Sequence, residues 1–269
     1  MVETLVLGAQ GMLGSQLLRS LGDKVQGISG HDVRDWPAFE AILNDSAAKT
    51  IINAIGWIKQ RGATEDPADL IEINALFPHR LAQHCRRLGR RLIHFSTDCV
   101  FSGSTGGYTE DDRPDPVDLY GQSKWLGEVA GTNVFTLRTS FIGLEQHRKT
   151  SLVEWFLEQK QPIQGYSQAI YSGFTTLEMA RIVDRLIIAP DHYAGLYHVA
   201  SSPISKYDLL VAIRDRIGLE LSISRYSDFS CNRSLNGDKF NRTFGYIPPS
   251  WQDMVEELAV QIKSRDHEL

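Results

Sequence analysis

The chain has 269 residues, 42% hydrophobic and 23% charged, the balance of a globular protein large enough for a sizeable core. Lysine and arginine number 28 against 33 aspartates and glutamates, and the resulting charge of -5 argues against a nucleic-acid coat or a basic membrane-surface protein. Three widely spaced cysteines (Cys85, Cys99, Cys231), no basic leader and no apolar run of membrane-spanning length lead us to expect a reducing cytoplasm, with neither disulfides nor a metal site.

Residues 4–7, Thr-Leu-Val-Leu, read as a buried strand. They run into Gly8-Ala9-Gln10-Gly11-Met12-Leu13-Gly14. A helix follows, with Leu13, Leu17, Leu18 and Leu21 on one face and Gly22 at its end. Glycines between a strand and a helix suit a dinucleotide. Gly8 allows the tight turn, Gly11 lets a pyrophosphate approach the backbone, and Gly14 lets helix and strand pack closely; the helix N-terminus then faces the phosphates. The expected cofactor contacts here are Gly8, Gln10, Gly11, Met12, Leu13 and Gly14.

Residues 24–28 form the second expected strand. No acid stands at its end to hold an adenine ribose, which weakens strict NAD preference. His31 reads either as a contact for a 2′-phosphate or as a plain loop histidine; with Asp32 and Val33 it marks this end of the cofactor site. A helix is expected over 36–43 and a buried strand over 50–56, whose Ala54, Ile55 and Gly56 would pass beside the cofactor. A polar loop at 64–67 precedes a long helix over 70–88. Its inward side carries Ile71, Asn74, Ala75, Leu81, Ala82 and Cys85, and Gly89 stops it. Asn74, the polar member, is expected to hydrogen-bond a neighbouring strand backbone near the cofactor.

The strand over 91–96 delivers Ser96-Thr97-Asp98-Cys99 at its carboxyl end, where ligands bind in open α/β sheets. A loop then leads to Leu119-Tyr120-Gly121-Gln122-Ser123-Lys124. On a helix this spacing sets the Tyr120 phenol and the Lys124 ammonium on one face, one turn apart. A cation beside a phenol lowers its pKa from about 10, toward proton exchange near neutrality. Another strand is expected over 133–138. Beyond Ser140 come helix 152–158, loop 161–173, helix 176–188, strand 195–199, a helix capped by Ser205, an irregular stretch 231–236, and a final helix after Pro248-Pro249-Ser250-Trp251. The alternation predicts an α/β fold, a doubly wound parallel sheet, from residues 1–145 with 172–200. Residues 146–171 with 201–269 would make a smaller mixed substrate lobe.

Gly8-x-x-Gly11-x-x-Gly14, Ser96-Thr97-Asp98, Tyr120-x-x-x-Lys124 and Leu137-Arg138-Thr139-Ser140, in this order, resemble the extended short-chain dehydrogenase/reductase superfamily. Within it the chain is most similar to dTDP-4-dehydrorhamnose reductase and its relatives acting on nucleotide sugars. The resemblance implies NADPH or NADH as cofactor and hydride transfer to the C4 ketone of a nucleotide-linked 4-keto-6-deoxyhexose. Tyr120 would protonate the alkoxide, Lys124 would hold the nicotinamide ribose and tune Tyr120, and Thr97 would orient the substrate oxygen. Asp98, Cys99, Phe141 and Arg233 would contact substrate. Arg138 and Lys239 are further candidates for its diphosphate, and Trp155, Tyr166 and Trp251 for stacking on it or for packing. The implied partner is a nucleotide sugar, with no nucleic acid and no membrane, and a homodimer is the assembly considered.

Two positions depart from the pattern. Phe141 follows Ser140 where rhamnose-type reductases resemble Ser-Trp. Cys99 stands where they have tyrosine, and where dehydratases place the glutamate of their acid/base pair, which argues against water elimination. Cys99 also has the offset from Thr97 of the epimerising cysteine in GDP-fucose synthase-like enzymes. It reads either as an epimerase base, with His147 as the opposite proton donor, or as a small residue packed under the substrate. A nucleotide-sugar epimerase and a non-catalytic NAD(P)-binding regulatory subunit are the alternatives to a reductase. Intact Thr97, Tyr120 and Lys124 speak against the latter.

Overall fold

The structure, a computed structural model, describes residues 2–58, 66–147 and 149–267. β1 (Thr4–Leu7), with every side chain buried, ends at Gly8 in a left-handed conformation, φ +80°. α1 (Met12–Leu21) turns Leu13, Leu17 and Leu21 into the core. After β2 (Val25–Ile28), Asp35 caps α2 (Trp36–Asp45) by accepting the Ala38 N–H. β3 (Thr50–Asn53) is followed by α3 (Pro67–Ile71), a π turn (Glu72–Leu76) and α4 (Phe77–Arg87) as one helical run. Next come β4 (Arg91–Thr97), α5 (Leu119–Leu126), β5 (Val134–Thr139), β6 (Phe141–Ile142), α6 (Leu152–Leu157), β7 (Ile163–Tyr171), β8 (Phe174–Thr175), α7 (Thr176–Ile187) and β9 (Gly195–His198). β10 (Ile204–Ser205), α8 (Lys206–Ile217), β11 (Ile223–Asn232), α9 (Asp238–Phe244) and α10 (Trp251–His267) complete the chain.

Six strands form one sheet in the order β2-β1-β3-β4-β5-β9, all neighbours parallel. The chain leaves β1 for β2 on one side and returns to β3 on the other. The carboxyl end of β1 is therefore a topological switch point, the place where such sheets bind ligands. On one face α1 and α7 pack through Leu17, Met179, Val183 and Leu186 onto Val6, Ile93 and Phe135. On the other, α2 and α4 bury Phe39, Leu43, Phe77 and Leu81. Each such side chain contributes roughly 1.5–3 kcal/mol of transfer free energy. α9 also packs on the main sheet, with Phe240 and Phe244 around Tyr197. A second sheet, β10-β7-β11, rests on α8 and α10 through Leu209, Ile213, Leu258 and Ile262. The short parallel pair β6-β8 forms a third. Among the described residues no helix is long and apolar enough to cross a membrane.

Four expectations are corrected. The third strand stops at Asn53, not Gly56: Ala54 still bonds Leu7, but the Asn53 carboxamide then takes the Ile55 N–H and turns the chain. Ile71 faces outward, 42% exposed, because the π turn shifts the helix phase and buries Leu70 and Ile73 instead. The expected loop 161–173 is the nine-residue strand β7. Cys231 and Asn232 end β11, which pairs in parallel with β7, while only the residues after them are irregular. Of the polar loop expected at 64–67, Thr64 and Glu65 lie outside the described residues, Asp66 is the cap of α3 and Pro67 opens it.

Candidate active site

The glycine turn is built from close backbone contacts. A Cβ on Gly8 would lie 3.0 Å from the Ala54 carbonyl, and one on Gly14 would lie 2.1 Å from the Gly8 oxygen. Gly11 caps α1 without a side chain, so no capping side chain satisfies the first N–H groups of the helix. Met12 and Leu13 can offer main-chain N–H groups there. The Leu13 side chain is in the core and Gln10 is exposed. A cradle that any Cβ would fill, at a helix N-terminus with spare donors, fits a dinucleotide pyrophosphate.

Beyond β2, His31 is exposed and Val33 is buried in the core. Asp32 is engaged by Arg34 through three side-chain hydrogen bonds of 2.7 to 3.0 Å, which hold its carboxyl below the usual range. Arg34 also pairs with Asp69 of α3 at 2.7 Å. Sequence reasoning missed Arg34, because its second partner comes from a distant helix. Its guanidinium stands where an arginine can receive a 2′-phosphate.

The segment after β3 joins the glycine turn to the catalytic helix. Asn74 accepts the Trp57 N–H (2.9 Å), donates to the Trp57 carbonyl (2.9 Å) and donates to Ser123 Oγ (3.2 Å). The expected backbone bond is thus made, to this connecting segment and not to a strand. Gly56 sits between two of the site groups: a Cβ there would be 3.6 Å from Asn74 Oδ1 and 3.8 Å from Lys124 Nζ.

α5 is capped by Asp118, which accepts the Gly121 N–H at 2.8 Å. It lies so close to the turn after β4 that a Cβ on Gly121 would meet the Cys99 carbonyl oxygen at 2.3 Å. Tyr120, its second residue, lies near Thr97, and one turn further Lys124 is buried and donates to the Phe95 carbonyl at 2.6 Å. Burial lowers the Lys124 pKa to about 8. Burial also raises the Tyr120 pKa, with Cys99 adding to the rise and the nearby Thr97 hydroxyl opposing it. This corrects the expected lysine-lowered phenol. Desolvation dominates, the Asp98 and Asp118 charges act in the same direction, and the phenol keeps its proton, the form a proton donor needs.

Thr97 Oγ1 accepts the Cys99 N–H and donates to Asp98 Oδ1 at 3.1 Å. Asp98 is buried, and desolvation raises its pKa against the opposing charge of Arg233. Arg233 is fixed by its Nε bond to the Phe101 carbonyl (2.9 Å) and reaches Cys99 Sγ with Nη1 at 3.5 Å. The Cys99 thiol is pushed up to about 12, by burial first and Asp98 next, so it is a thiol and not the thiolate that proton abstraction needs. Phe141 stands edge-on to Phe95, ring centres 6.3 Å apart.

Other candidates fall away from the site. Arg138 is 3% exposed and is gripped by both Glu128 oxygens at 2.7 and 2.8 Å, so it is unavailable to a diphosphate. Its Nη1 donates to His198 Nε2 at 3.2 Å, while His198 Nδ1–H donates to the Tyr108 carbonyl at 2.8 Å. Burial lowers that histidine to about 4, which leaves it neutral. Glu128 also accepts Ser96 Oγ–H at 2.7 Å. Sequence spacing gave no sign of this network. Lys239 bonds the Leu196 carbonyl and covers the Tyr197 ring. Trp155, Tyr166 and His147 are exposed, and Trp251 donates to the Ser202 carbonyl. Among the described residues no group of three or more histidine, cysteine, aspartate or glutamate residues could hold a metal.

Comparison with known proteins bears on the family and the fold. The family described as RmlD substrate binding domain matches residues 2–264. The spore coat polysaccharide biosynthesis protein SpsK of Bacillus subtilis is 31% identical over 83% of this chain and 82% of its own length. The dTDP-4-dehydrorhamnose reductase of Aggregatibacter actinomycetemcomitans is 25% identical over 96% of this chain and 98% of its own. Among solved structures, dTDP-4-dehydrorhamnose reductase from Bacillus anthracis, crystallised with NADP, superposes with a TM-score of 0.84 at 23% identity, covering 97% of this chain and 99% of that one. With a parallel sheet, a glycine turn at its switch point and a match over nearly its whole length, the chain belongs to the RmlD substrate binding domain family.

Proposed function

We propose that the chain is a reductase that uses NADPH or NADH to reduce the C4 ketone of a nucleotide-linked 4-keto-6-deoxyhexose. The observation that carries this reading is the placing of Tyr120 and Lys124, one turn apart on α5, against the carboxyl end of β4 where Thr97 stands, with Lys124 bonded to the Phe95 carbonyl of that strand. Lys124 and Asn74 tie this arrangement to the segment packed on the glycine turn. The names of relatives, dTDP-4-dehydrorhamnose reductase and dTDP-4-keto-6-deoxy-D-glucose reductase, support the substrate class.

A bound nicotinamide dinucleotide supplies the hydride. The N–H groups at the start of α1 bind its pyrophosphate, Asp32 and Arg34 receive its adenosine end, and Gly56, Asn74 and Lys124 line its nicotinamide end. Thr97 donates a hydrogen bond to the ketone oxygen and orients it. Tyr120 passes its proton to that oxygen as negative charge develops. Arg233 offers a guanidinium to the diphosphate or a sugar oxygen, and Phe141 an apolar face to the ring. Residues 1–145 with 172–200 hold the cofactor, and residues 146–171 with 201–269 hold the nucleotide sugar. The enzyme works in the cytoplasm, as a homodimer, in making activated deoxysugar for a polysaccharide.

The test is oxidation of NADPH and NADH with dTDP-, UDP- and GDP-linked 4-keto-6-deoxyhexoses. Turnover with at least one is expected, and Tyr120→Phe should abolish it while cofactor still binds. Near-wild-type turnover by Tyr120→Phe would refute the proton-donor role. Stoichiometric NAD retained through purification, with no net reduction of any ketone, would favour a nucleotide-sugar epimerase.

A further inference from the structure

Glu128 lies just past the end of α5, four residues after Lys124, and its N–H bonds the Trp125 carbonyl at 3.1 Å. Its side chain is 12% exposed and takes hydrogen bonds from two strands. Oε1 accepts from Ser96 Oγ of β4 at 2.7 Å and from Arg138 Nε of β5 at 2.7 Å, and Oε2 accepts from Arg138 Nη2 at 2.8 Å. Through His198, Arg138 reaches β9 as well. Ser96 stands between Phe95, whose carbonyl takes the Lys124 ammonium, and Thr97. Lys124 and Glu128 therefore grip consecutive residues of β4, directly before the hydroxyl assigned to the ketone. A fold gains little from a buried ion pair such as Glu128 with Arg138, since desolvation offsets the attraction and an apolar pair of similar size would serve as well. What an apolar pair could not supply is a charge.

We propose that Glu128 is a positioning residue for the reduction: its carboxylate presents a negative charge to the Lys124 ammonium and, through Ser96 and Arg138, holds α5 against the carboxyl ends of β4 and β5. The surroundings of Lys124 leave this task to Glu128. Burial lowers the lysine to about 8, and among the described residues Glu128 is the charge that opposes the fall. His94 of β4, close enough to feel the Lys124 charge, is held neutral by burial. Tyr120 keeps its proton. The segment after β3 and the π turn bring Gly56 and Asn74, which carry no charge. Without Glu128 the lysine would lose its proton closer to neutrality, and with it the charged donor that the nicotinamide ribose and Tyr120 rely on.

The inference rests on the reductase reading, and a measurement that needs no turnover separates the two. Glu128→Gln keeps an oxygen for Ser96 and removes the charge, while Glu128→Gln/Arg138→Met leaves no unpaired buried charge and serves if the single variant fails to fold. In wild type and both variants Lys124 is titrated through the NMR signal of its Cε, identified by its absence in Lys124→Met. The pH profile of kcat is followed alongside, with NADPH and dTDP-4-keto-6-deoxyglucose. Lys124 is expected to titrate near 8 in wild type. In Glu128→Gln it should titrate roughly one pH unit lower, with the double variant shifted the same way. The alkaline fall of kcat should move with it, leaving kcat within about twofold of wild type near pH 6 and roughly tenfold below it near pH 9. A Lys124 titration and alkaline limb that stay in place in the folded variants overturn the proposal and leave the reductase reading standing. A kcat lowered equally at every pH overturns it too, and makes Glu128 merely structural. A wild-type chain that turns over no nucleotide sugar in the panel overturns the reductase reading, and the positioning role with it, whatever Lys124 does.

Discussion

Lys124 Nζ and the Phe95 carbonyl oxygen lie 2.6 Å apart, so the ammonium is tied to β4 and not to the phenol one turn before it. With its pKa lowered from 10.5 to about 8, Lys124 is charged in both the folded and the unfolded chain below pH 8, and the full penalty of burying that charge applies there. Between pH 8 and 10.5 the unfolded chain holds the proton and the folded chain has released it, so this group's contribution to stability rises with pH. Lys124→Met should therefore stabilise the cofactor-free chain near neutral pH by up to about 3 kcal/mol. The advantage should shrink toward pH 10 and turnover should be lost. Thermal melts of both chains across this range check it. A variant that melts lower than wild type at neutral pH would show that the bond to Phe95 outweighs the burial penalty.

Arg34 links the loop after β2 to α3 through Asp32 and Asp69. Arg34→Ala should weaken NADPH on the order of tenfold, through loss of a charge-assisted contact to the 2′-phosphate, and leave NADH nearly unchanged. Cofactor titrations read by fluorescence decide this. An equal loss for both cofactors would mean that Arg34 only braces the loop.

For Cys99 the prediction is largely negative. With the thiol near 12 the thiolate is a very small fraction at neutral pH. Cys99→Ser should keep the reduction rate within about threefold. Neither chain should incorporate solvent deuterium at the sugar carbons beside the ketone. Deuterium uptake by wild type that the serine variant loses would restore the cysteine as an epimerase base.

The Arg138–Glu128 pair is buried, with side chains 4% and 12% exposed. Glu128→Ala leaves the guanidinium uncompensated and should cost about 3–5 kcal/mol in urea unfolding. Replacing both residues by apolar ones should cost less than the sum of the single changes, because no unpaired charge is left.

These pairings show where a linear reading of the chain succeeds and where it stops. The glycine turn, Thr97 and the Tyr120-Lys124 helix were legible because each is local: a strand, a turn and a helix within a few residues. β7 was not, because its alternation is inverted in appearance. Its buried positions include Gly165 and Ala169, kept small where Tyr207 of α8 presses against Gly165, while its exposed positions include Tyr166. Arg34 and Glu128 were missed because their roles depend on partners brought from elsewhere along the chain, Asp69 for the one and Ser96 for the other. The direction of the Tyr120 shift was misread because spacing shows a neighbouring charge but not the desolvation around it.

Gly121 sets Tyr120 against the strand below it. Because a peptide carbonyl, that of Cys99, fills the place where its side chain would project, the height of the phenol above β4 is gauged by main chain resting on main chain. Gly127 does the same at the far end of α5 against the Asn74 carbonyl, at 1.9 Å from a would-be Cβ. A spacer made of peptide groups has one thickness whatever the surrounding side chains are. The apolar residues of the sheet can therefore change without detuning the acid, and the freedom to change chemistry is left to side chains beside it, Cys99 among them.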